Sequence, residues 1–368
     1  MIVSVYTKSG ERAATTYYRI YQYLRDIPIN FYKRKMLSDK MYRKVMPISD
    51  KNIVVKVFIF IYIYLRVTVQ LTKDLFICPD TLVISRRFIN RRLPIHFKLI
   101  LNSLKKRGTN IIWDFDDQII VSKEVSKKGF RYMSELADHI IVASEYNYKM
   151  VSEEFRNKVS ILPTTDGDMY KLFNTRITSD RLKKLETEIR IIWIGTSVSL
   201  KYVEQLIPAL RILGEQLVND RKISLTVVCD KPLEVKGPGH LNIRNIKWER
   251  DIAIKELLNS HIGIMPLEET SFSKGKGGFK LIQYLSVGLP IIGSPVGINT
   301  SIITKDVGFL EDIKDENGWV NAIRSLISSI DTWKGYSQCA FKKWLEEYNY
   351  EQNLEFWSFM INDNKSTN

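Results

Sequence analysis

Short apolar runs alternate with longer amphipathic segments along the first half of the chain. Runs rich in Val, Ile and Leu predict strands, and helical spacing separates them; the strands are expected at 2–6, 81–85, 110–113, 140–143 and 159–162, with helices at 13–24 and 132–137. Strands that alternate with helices indicate a parallel sheet with helices on both faces. No segment repeats at a fixed period, which argues against a solenoid.

The same alternation starts again after a polar and charged stretch at 175–188. Further strands are predicted at 190–195, 224–229, 261–266 and 291–294, with helices at 252–258, from 278, and at 319–330. We therefore predict an α/β protein with two Rossmann-like domains, 1–174 and 175–350. Open sheets of this kind bind ligands at the carboxyl ends of their strands, so the domains are expected to face a central cleft. A helix at 351–368 is expected to pack back toward the first domain and to end in a frayed tail.

The composition is compatible with two packed domains in a reducing compartment. The 368 residues are 45% hydrophobic, which is enough for a sizeable core. Cys78, Cys229 and Cys339 show neither a metal-binding spacing nor a disulfide framework. The first residues lack the basic start, apolar run and cleavage site of a signal peptide, so a cytoplasmic location is expected.

The positive charge is concentrated at one end of the chain. Residues 1–107 contain 22 Lys and Arg against 6 Asp and Glu, a net charge of +16, whereas the rest of the chain contains 33 against 35, a net charge of −2. So uneven a distribution suggests an anionic partner. The alternative is a solvated basic surface that aids solubility.

An apolar stretch at 51–66 lies within this basic end. Its uncharged part, between Lys56 and Arg66, is too short to cross a bilayer, which requires about 20 residues. Six basic residues come shortly before it, namely Lys33, Arg34, Lys35, Lys40, Arg43 and Lys44. This arrangement is typical of an interfacial membrane element, and the alternative is a buried helix or strand. We expect residues 1–107 to attach the protein to an anionic membrane, at the cytoplasmic face of the inner membrane.

A glycine-rich segment at 273–297 is the strongest candidate for a ligand site. Lys274 and Lys276 alternate with glycines before a predicted helix, and that helix ends at 288–290, Gly-Leu-Pro. Backbone amides at a helix start bind anions, glycines let a phosphate approach, and lysines add charge for a diphosphate. The segment is not a P-loop, because no Gly-Lys-Ser/Thr ends the glycine loop.

This segment resembles the donor-binding signature of the family 4 retaining glycosyltransferases, which have the GT-B architecture of two Rossmann-like domains. Residues 194–201, Ile-Gly-Thr-Ser-Val-Ser-Leu-Lys, resemble the family's phosphate loop. The segments 113–117 and 137–144 resemble elements of its N-terminal domain, and 163–166 resembles the turn before its linker. Residues 18–24, Tyr-Arg-Ile-Tyr-Gln-Tyr-Leu, are similar to a segment of bacterial members that build surface polysaccharides.

The resemblance implies a hexosyltransferase that moves a sugar from a nucleoside-diphosphate sugar to a polysaccharide or lipid-linked glycan acceptor, with retention. Its candidate catalytic residues are Lys276, Lys280 and Asp117. Its candidate donor-binding residues are Gly195, Thr196, Lys201, Gly277, Gly278, Phe279 and Gln283. In many such enzymes the leaving phosphate accepts the acceptor's proton, so no carboxylate pair is needed. No cofactor is implied.

The chain departs from the family pattern near the donor sugar. The family carries two glutamates eight positions apart around this helix, where this chain has Gly275 and Gln283. Gln283 can still hydrogen-bond a ribose hydroxyl, but Gly275 leaves the usual sugar contact unfilled. Thr196 stands where many members have arginine, so Lys276 or Lys280 is expected to contact the diphosphate. We interpret these departures as a subgroup variant, and the alternative is an inactive relative.

Asp114, Asp116 and Asp117 follow a predicted strand and raise the alternative of a metal site, since carboxylates bind Mg²⁺ and Mn²⁺. Metal–diphosphate sites of the Asp-x-Asp type belong to a different glycosyltransferase fold, and helix dipoles with lysines can neutralise the leaving group instead. We therefore predict no metal. Asp116 or Asp117 is expected either to lie near a sugar or to cap the strand. His261 lies in an apolar strand pattern and is expected to be a core residue.

Two other classes of protein remain open from the residues alone. A sugar-nucleotide epimerase shares this fold but needs acid/base residues. A non-catalytic anion- or nucleic-acid-binding protein would use the basic end for phosphates. That end lacks a recognition motif, and its aromatic residues lie among aliphatic ones, so we expect no nucleic-acid partner.

Overall fold

The computed structural model describes residues 1–11, 13–45, 48, 51–90, 92–235 and 239–362, which form two compact units. The first unit consists of Met1–Thr164, Gly275–Gly277 and Tyr350–Asn368, and the second of Thr165–Lys274 and Gly278–Asn349. Each unit contains one six-stranded parallel sheet, which confirms the predicted α/β fold class. The predicted frayed tail, beyond Asn362, lies outside the described residues.

The strands of the first unit are β1 (Ile2–Thr7), β2 (Asn30–Lys35), β3 (Thr81–Ser85), β4 (Asn110–Phe115), β5 (His139–Val142) and β6 (Val159–Ile161). Those of the second unit are β7 (Glu188–Ile194), β8 (Lys222–Cys229), β9 (Leu241–Lys247), β10 (Ile262–Met265), β11 (Ile291–Gly293) and β12 (Gly308–Leu310). The sheet orders are β2-β1-β3-β4-β5-β6 and β12-β11-β10-β7-β8-β9. Inner strands such as β3 and β4 are buried at every residue, because helices cover both faces of a parallel sheet.

The helices before β7 are α1 (Ala14–Thr16), α2 (Gln22–Asp26), α3 (Asp39–Val45), α4 (Ile53–Ile77), α5 (Ile95–Lys106), α6 (Lys127–Leu136), α7 (Glu145–Met150) and α8 (Thr175–Leu185). The later ones are α9 (Leu200–Glu204), α10 (Ile207–Gln216), α11 (Arg250–Leu258), α12 (Ser271–Lys274), α13 (Phe279–Ser286), α14 (Asn299–Ile302), α15 (Glu316–Leu326), α16 (Ile330–Glu347) and α17 (Tyr350–Asn362). Tyr17–Tyr21 is a π-helical turn. Short 3₁₀ helices lie at Glu153–Lys158, Tyr170–Leu172 and Ser197–Ser199.

Polar side chains begin several of these helices. Asn52, Ser126, Ser144, Asn174 and Ser329 each accept a hydrogen bond from the backbone amide three residues ahead. Caps of this kind satisfy an amide that has no partner within the helix and stabilise it by about 1 kcal/mol each.

The last helix groups with the first unit. In α17 the Tyr350 hydroxyl lies 2.7 Å from the Asp26 carboxylate, and the Asn353 amide donates to the Pro163 carbonyl at 2.8 Å. The Tyr350 ring stacks on that of Tyr23, with centroids 5.1 Å apart. These contacts fix α17 against α2 and the segment after β6.

Two stretches singled out in the sequence are helices in the structure. The polar stretch at 175–188 is helix α8 over most of its length, and the two compact units divide at Thr164–Thr165. The apolar stretch of the basic end is also longer than predicted. The 25-residue α4 continues through Lys56 and Arg66, so it is long and apolar enough to cross a membrane by length and composition alone.

Candidate functional site

The strand order of the second unit places its ligand site at two loops. β7 and β10 are neighbours in the sheet, and the chain leaves them toward opposite edges, through β8 and β9 on one side and β11 and β12 on the other. In doubly wound sheets a ligand binds at the carboxyl ends of the strands where the order reverses in this way. The loops after β7 and β10 carry the predicted phosphate loop and the glycine-rich segment.

The structure brings Gly195 and Lys280 together at this point. Gly195 follows β7, and a Cβ atom there would lie 2.5 Å from the Trp193 ring and 3.1 Å from the Cε atom of Lys280. The Lys280 ammonium lies 5.2 Å from the centre of the Trp193 ring. Only glycine allows the lysine and the backbone to approach this closely, so the site has a positive charge beside an exposed stretch of backbone.

The loop after β7 is held by an acidic residue that follows β8. The Asp230 carboxylate accepts hydrogen bonds from the Ser197 amide at 2.7 Å and from the Ser197 hydroxyl at 2.9 Å. Burial by itself raises the pKa of Asp230, but these hydrogen bonds outweigh it and lower that pKa below its ordinary value. Thr196, which precedes this turn, is exposed. Asp230 was not among the predicted site residues, and its place directly after a strand was the signal that could have found it.

Lys201 lies on α9, which follows this loop along the chain. Its ammonium is 4.8 Å from the centre of the Tyr202 ring and 3.8 Å from the Glu268 carboxylate. The other Glu268 oxygen accepts a hydrogen bond from the Gln205 amide at 2.9 Å. The Lys201 side chain is 58% exposed, so its pairing with Glu268 is weak and exchangeable.

Gly278 and Phe279 mark the start of α13. Gly278 is the N-cap and has φ +68°, a left-handed conformation that other residues adopt at a cost. A Cβ atom at Gly278 would also lie 2.6 Å from the Ile302 side chain. The backbone conformation therefore requires the predicted glycine. It begins α13, and the amino-terminal end of a helix stabilises a bound anion.

Gln283 does not lie at the surface of the site. It is buried on α13, and its amide donates to the Asp166 carboxylate at 3.3 Å. Asp166 also accepts the Asp168 and Met169 amides, at 3.0 and 3.1 Å. Burial raises the pKa of Asp166 more than these bonds lower it. The structure thus gives Gln283 an internal partner, and its contact with a ribose stays a prediction.

Lys276 and Gly277 group with the first unit, apart from Gly278, Phe279 and Lys280. The Gly275 carbonyl accepts a hydrogen bond from the Asn147 amide at 3.3 Å. A Cβ atom at Gly275 would lie 2.4 Å from Cβ of Gln118, and one at Gly277 would lie 2.9 Å from the Asp116 carbonyl. The glycine at 275, where the family has glutamate, therefore packs directly on backbone and side chain in this conformation.

The carboxyl edge of the first sheet is occupied by ion pairs. Arg19 and Asp114 are both buried, with Nη2 to Oδ1 at 2.6 Å, and Arg19 also donates to the Leu162 carbonyl at 3.0 Å and the Thr164 hydroxyl at 2.9 Å. Burial by itself lowers the pKa of Arg19, but the Asp114 carboxylate outweighs it and raises that pKa. Asp114 thus serves to hold the segment 17–24 on the sheet.

Arg86 gathers the other carboxylates of this edge. Its guanidinium pairs with Asp116 at 2.8 Å, with Glu124 at 3.1 Å and with Asp117. Burial lowers the pKa of Arg86, and the two aspartates raise it well above its ordinary value. Arg86 has φ +61°, a strained conformation of the kind found at functional sites. Asp117, a predicted catalytic residue, is therefore paired to Arg86 within the first unit.

The aspartates do not assemble a metal site in the structure. Across the described ranges, no group of three or more His, Cys, Asp and Glu side chains is arranged to hold a metal ion. Asp114 faces Arg19, whereas Asp116 and Asp117 face Arg86. Arg19 and Arg86 were not predicted as part of this edge. The signal for Arg86 was its place directly after the strand at 81–85.

Comparison with protein families matches residues 188–329 to the family model described as glycosyl transferases group 1. This range runs from the start of β7 to the turn after α15, and it contains Gly195, Lys201, Lys280 and Gln283. The comparison with curated protein sequences gives no match.

Solved structures share the fold along the whole chain. HepE from Anabaena in complex with UDP superposes with a TM-score of 0.67 at 10% identity, covering 98% of this chain and 99% of HepE. Sucrose-phosphate synthase from Thermosynechococcus elongatus gives a TM-score of 0.62 at 10% identity, covering 99% and 98%. A glycosyltransferase from Rickettsia africae gives 0.61 at 11% identity, covering 100% and 99%. At these identities the likeness establishes a common fold.

Proposed function

We propose that this glycosyltransferase, whose residues 188–329 match the group 1 family model, transfers a hexosyl group from a UDP-sugar to a glycan or lipid-linked acceptor with retention. The proposal rests on the position of the matched segment in the second sheet. The matched segment, 188–329, includes both loops of the point where the second sheet reverses its order. HepE, which shares the fold, has been crystallised with UDP and with UDP-glucose.

The donor's diphosphate fits the chemistry of the second unit. Lys280 supplies a positive charge beside the backbone of Gly195, and Gly278 begins α13, whose amino-terminal end favours an anion. Lys201 is exposed on α9 and pairs with Glu268 of the loop after β10. Charge-assisted hydrogen bonds from such groups are strong toward phosphate oxygens. We assign Gly195, Thr196, Lys201, Gly278, Phe279 and Lys280 to the donor diphosphate.

We attribute retention of the anomeric configuration to the leaving phosphate, which assists attack from its own face of the sugar. As the bond between the anomeric carbon and the phosphate oxygen breaks, negative charge develops on the diphosphate, which Lys280 stabilises. The departing phosphate oxygen accepts the proton of the acceptor hydroxyl, which attacks from the same face. The first unit would hold the acceptor, with Asp117 fixed by Arg86. The acceptor class, a bacterial surface glycan made at the cytoplasmic face of the inner membrane, rests on the resemblance of 18–24.

A thermal-shift panel tests the donor. UDP, GDP, ADP and CMP, with their sugars, are added separately to the full chain. A ligand at one hundred times its Kd stabilises the folded state by about 2.7 kcal/mol, so UDP should raise the melting temperature and the other nucleotides should not. A shift with a different nucleotide only would reassign the base, and no shift with any would remove the donor site.

Product analysis separates transfer from epimerisation. With a UDP-hexose and a lipid-linked acceptor, free UDP should appear only when both are present, and the new glycosidic bond should keep the donor's anomeric configuration by NMR. Conversion of the UDP-hexose into its epimer without acceptor would instead support the epimerase.

A further inference from the structure

The outer face of α4 carries a stripe of apolar side chains that the described residues leave exposed. Its members recur every three or four residues along the helix, apart from the longer step at its end; they are Val54, Phe58, Ile61, Leu65, Val69 and Phe76, all exposed. At 1.5 Å per residue the stripe is about 33 Å long. A helix on the surface of a water-soluble domain normally places polar residues on this face, so the stripe indicates a partner that is itself apolar.

The opposite face of α4 is fixed to the first sheet by polar contacts. Asp74 accepts hydrogen bonds from the Ser4 hydroxyl at 2.9 Å and the Tyr6 hydroxyl at 2.6 Å, and it pairs with Arg34. One turn and two turns earlier, Gln70 and Arg66 donate to the Lys35 carbonyl at 3.1 and 2.7 Å. Because β1 and β2 hold α4 along its second half, the stripe has a defined direction away from the core.

Helix α5 lies beside α4 and carries further exposed apolar side chains. The ring of Phe97 stacks on that of Tyr64 at 5.9 Å between centroids, which places α5 beside α4. On α5 the side chains of Ile95 and Leu99, one turn apart, are exposed. We call the stripe of α4 together with Ile95 and Leu99 the α4–α5 face.

The elements around the α4–α5 face are basic. Exposed basic side chains lie on α3, on α4 and at the two ends of α5, namely Lys40, Arg43, Lys44, Lys73, Arg92, Lys106 and Arg107. Asp39 of α3 pairs with Lys35, Asp74 of α4 is buried and paired with Arg34, and α5 has no acidic residue. An apolar face within a basic rim complements a surface that has acyl chains below anionic headgroups.

We propose that the α4–α5 face lies in the interfacial region of an anionic bilayer, with α4 parallel to the membrane surface. Its length would allow α4 to cross a bilayer, but crossing would break the bonds of Arg66, Gln70 and Asp74 to the sheet and carry these polar groups into hydrocarbon. Lying flat keeps those bonds and buries the stripe. A second copy of the chain suits the face less well, because a two-fold contact would bring one basic rim against another.

Vesicle flotation tests the proposal on the full-length chain. Vesicles of phosphatidylcholine alone are compared with vesicles that also contain phosphatidylglycerol, at low and at high salt. The protein should float with the anionic vesicles, and high salt should weaken this binding without abolishing it, because the apolar contribution is not screened. The proposal is independent of donor turnover, so a failed activity assay leaves this result interpretable.

A matched pair of variants locates the contact. Phe58→Glu combined with Leu65→Glu places two charges in the stripe and should weaken partitioning roughly tenfold or more. The control is Phe359→Glu, which changes a phenylalanine on α17 that is 60% exposed, against 58% for Phe58, and it should float like the parent. Circular dichroism melts check that all three proteins are folded.

Three outcomes would overturn the proposal. They are flotation of the Phe58→Glu/Leu65→Glu variant at the level of the parent, equal binding of the parent to neutral and anionic vesicles, and absence of binding to either. Size-exclusion chromatography with light scattering adds a further discriminating result. A dimeric parent that does not float, together with a monomeric stripe variant, would assign the α4–α5 face to a second copy.

Discussion

The carboxyl edges of the two sheets use their charged residues differently. In the first unit, buried or half-buried arginines pair with carboxylates, as Arg19 does with Asp114 and Arg86 with Asp116. In the second unit, Lys201 and Lys280 lie over aromatic rings beside glycine-bearing loops, and the pair of Lys201 with Glu268 is exposed and weak. An edge whose charges are matched internally is a rigid platform, whereas lysines on rings can redirect toward an incoming anion. The difference favours the second unit as the place where the nucleotide binds.

The largest effect is expected from the first unit's buried pair. Asp114→Asn leaves the Arg19 charge buried without its carboxylate, and we expect a loss of about 3–5 kcal/mol in the free energy of unfolding. Urea denaturation at neutral pH measures it. The control is Glu154→Gln, which breaks the exposed pair with Arg131 and should cost at most about 1 kcal/mol. Equal small effects would mean that the first edge is not held by this pair.

The second unit keeps a buried histidine neutral, and stability should therefore fall in acid. His261 accepts the Arg190 amide at Nδ1, at 2.9 Å, and its Nε2 lies 3.0 Å from the Arg181 carbonyl. Burial lowers the pKa of His261 from 6.5 to about 3. Below the pKa that His261 has in the unfolded chain, about 6.5, the unfolded chain binds a proton there and the folded chain does not. The histidine's contribution is complete above that value and falls by about 2 kcal/mol between about pH 7 and about pH 5.

Comparison with His261→Gln isolates this contribution from that of the carboxylates. Chemical denaturation of both proteins across the same pH range should show a steeper loss of stability in the parent. Parallel profiles would show that His261 is protonated in the folded protein or does not control its stability.

A smaller effect is expected for the lysines of the glycine-rich segment. Lys280→Ala and Lys276→Ala should each weaken UDP binding roughly tenfold, about 1.4 kcal/mol, with unchanged melting temperature in the absence of ligand. Isothermal titration calorimetry measures the affinity. Lys183→Ala, an exposed lysine on α8, serves as the matched control. Affinities equal to that of the control in both variants would remove this segment from donor binding.

The smallest effect is expected from metal removal. The carboxylates of the first edge already face arginines, so turnover should be unchanged by EDTA within the error of the assay. Activity that disappears in EDTA and returns with Mn²⁺ or Mg²⁺ would show that Asp114, Asp116 or Asp117 exchanges its arginine for a metal.

The buried strands of the fold could be predicted from the sequence, but three edge strands could not. β3 and β8 are buried on both faces, and each contains a run of aliphatic residues that can be recognised in the sequence. β2, β9 and β12 lie at sheet edges, and β2 and β9 carry several exposed polar residues, so they have no comparable run. The sequence predicts a shorter apolar stretch than α4 because the charge of Arg66 interrupts it. In the structure the Arg66 guanidinium donates to the Lys35 carbonyl, and the helix continues.

The glycines of the candidate site could be predicted from the sequence, but its side-chain pairs could not. Glycines are easily recognised in the sequence. At Gly278 a positive φ and the close approach of a neighbouring side chain both require one. The pairing of Arg19 with Asp114, or of Gln283 with Asp166, joins residues about a hundred positions apart. Nothing in local spacing specifies such pairs, since the order of the strands decides which loops meet.

Hydrogen–deuterium exchange of the full chain with and without UDP tests most directly which unit binds the nucleotide. Our expectation is slower exchange in peptides covering 195–201 and 279–286 of the second unit, with little change in those covering 84–90 and 114–118 of the first. Protection confined to the first unit's peptides would contradict it, as would unchanged exchange in all four under conditions where UDP binding is measured calorimetrically.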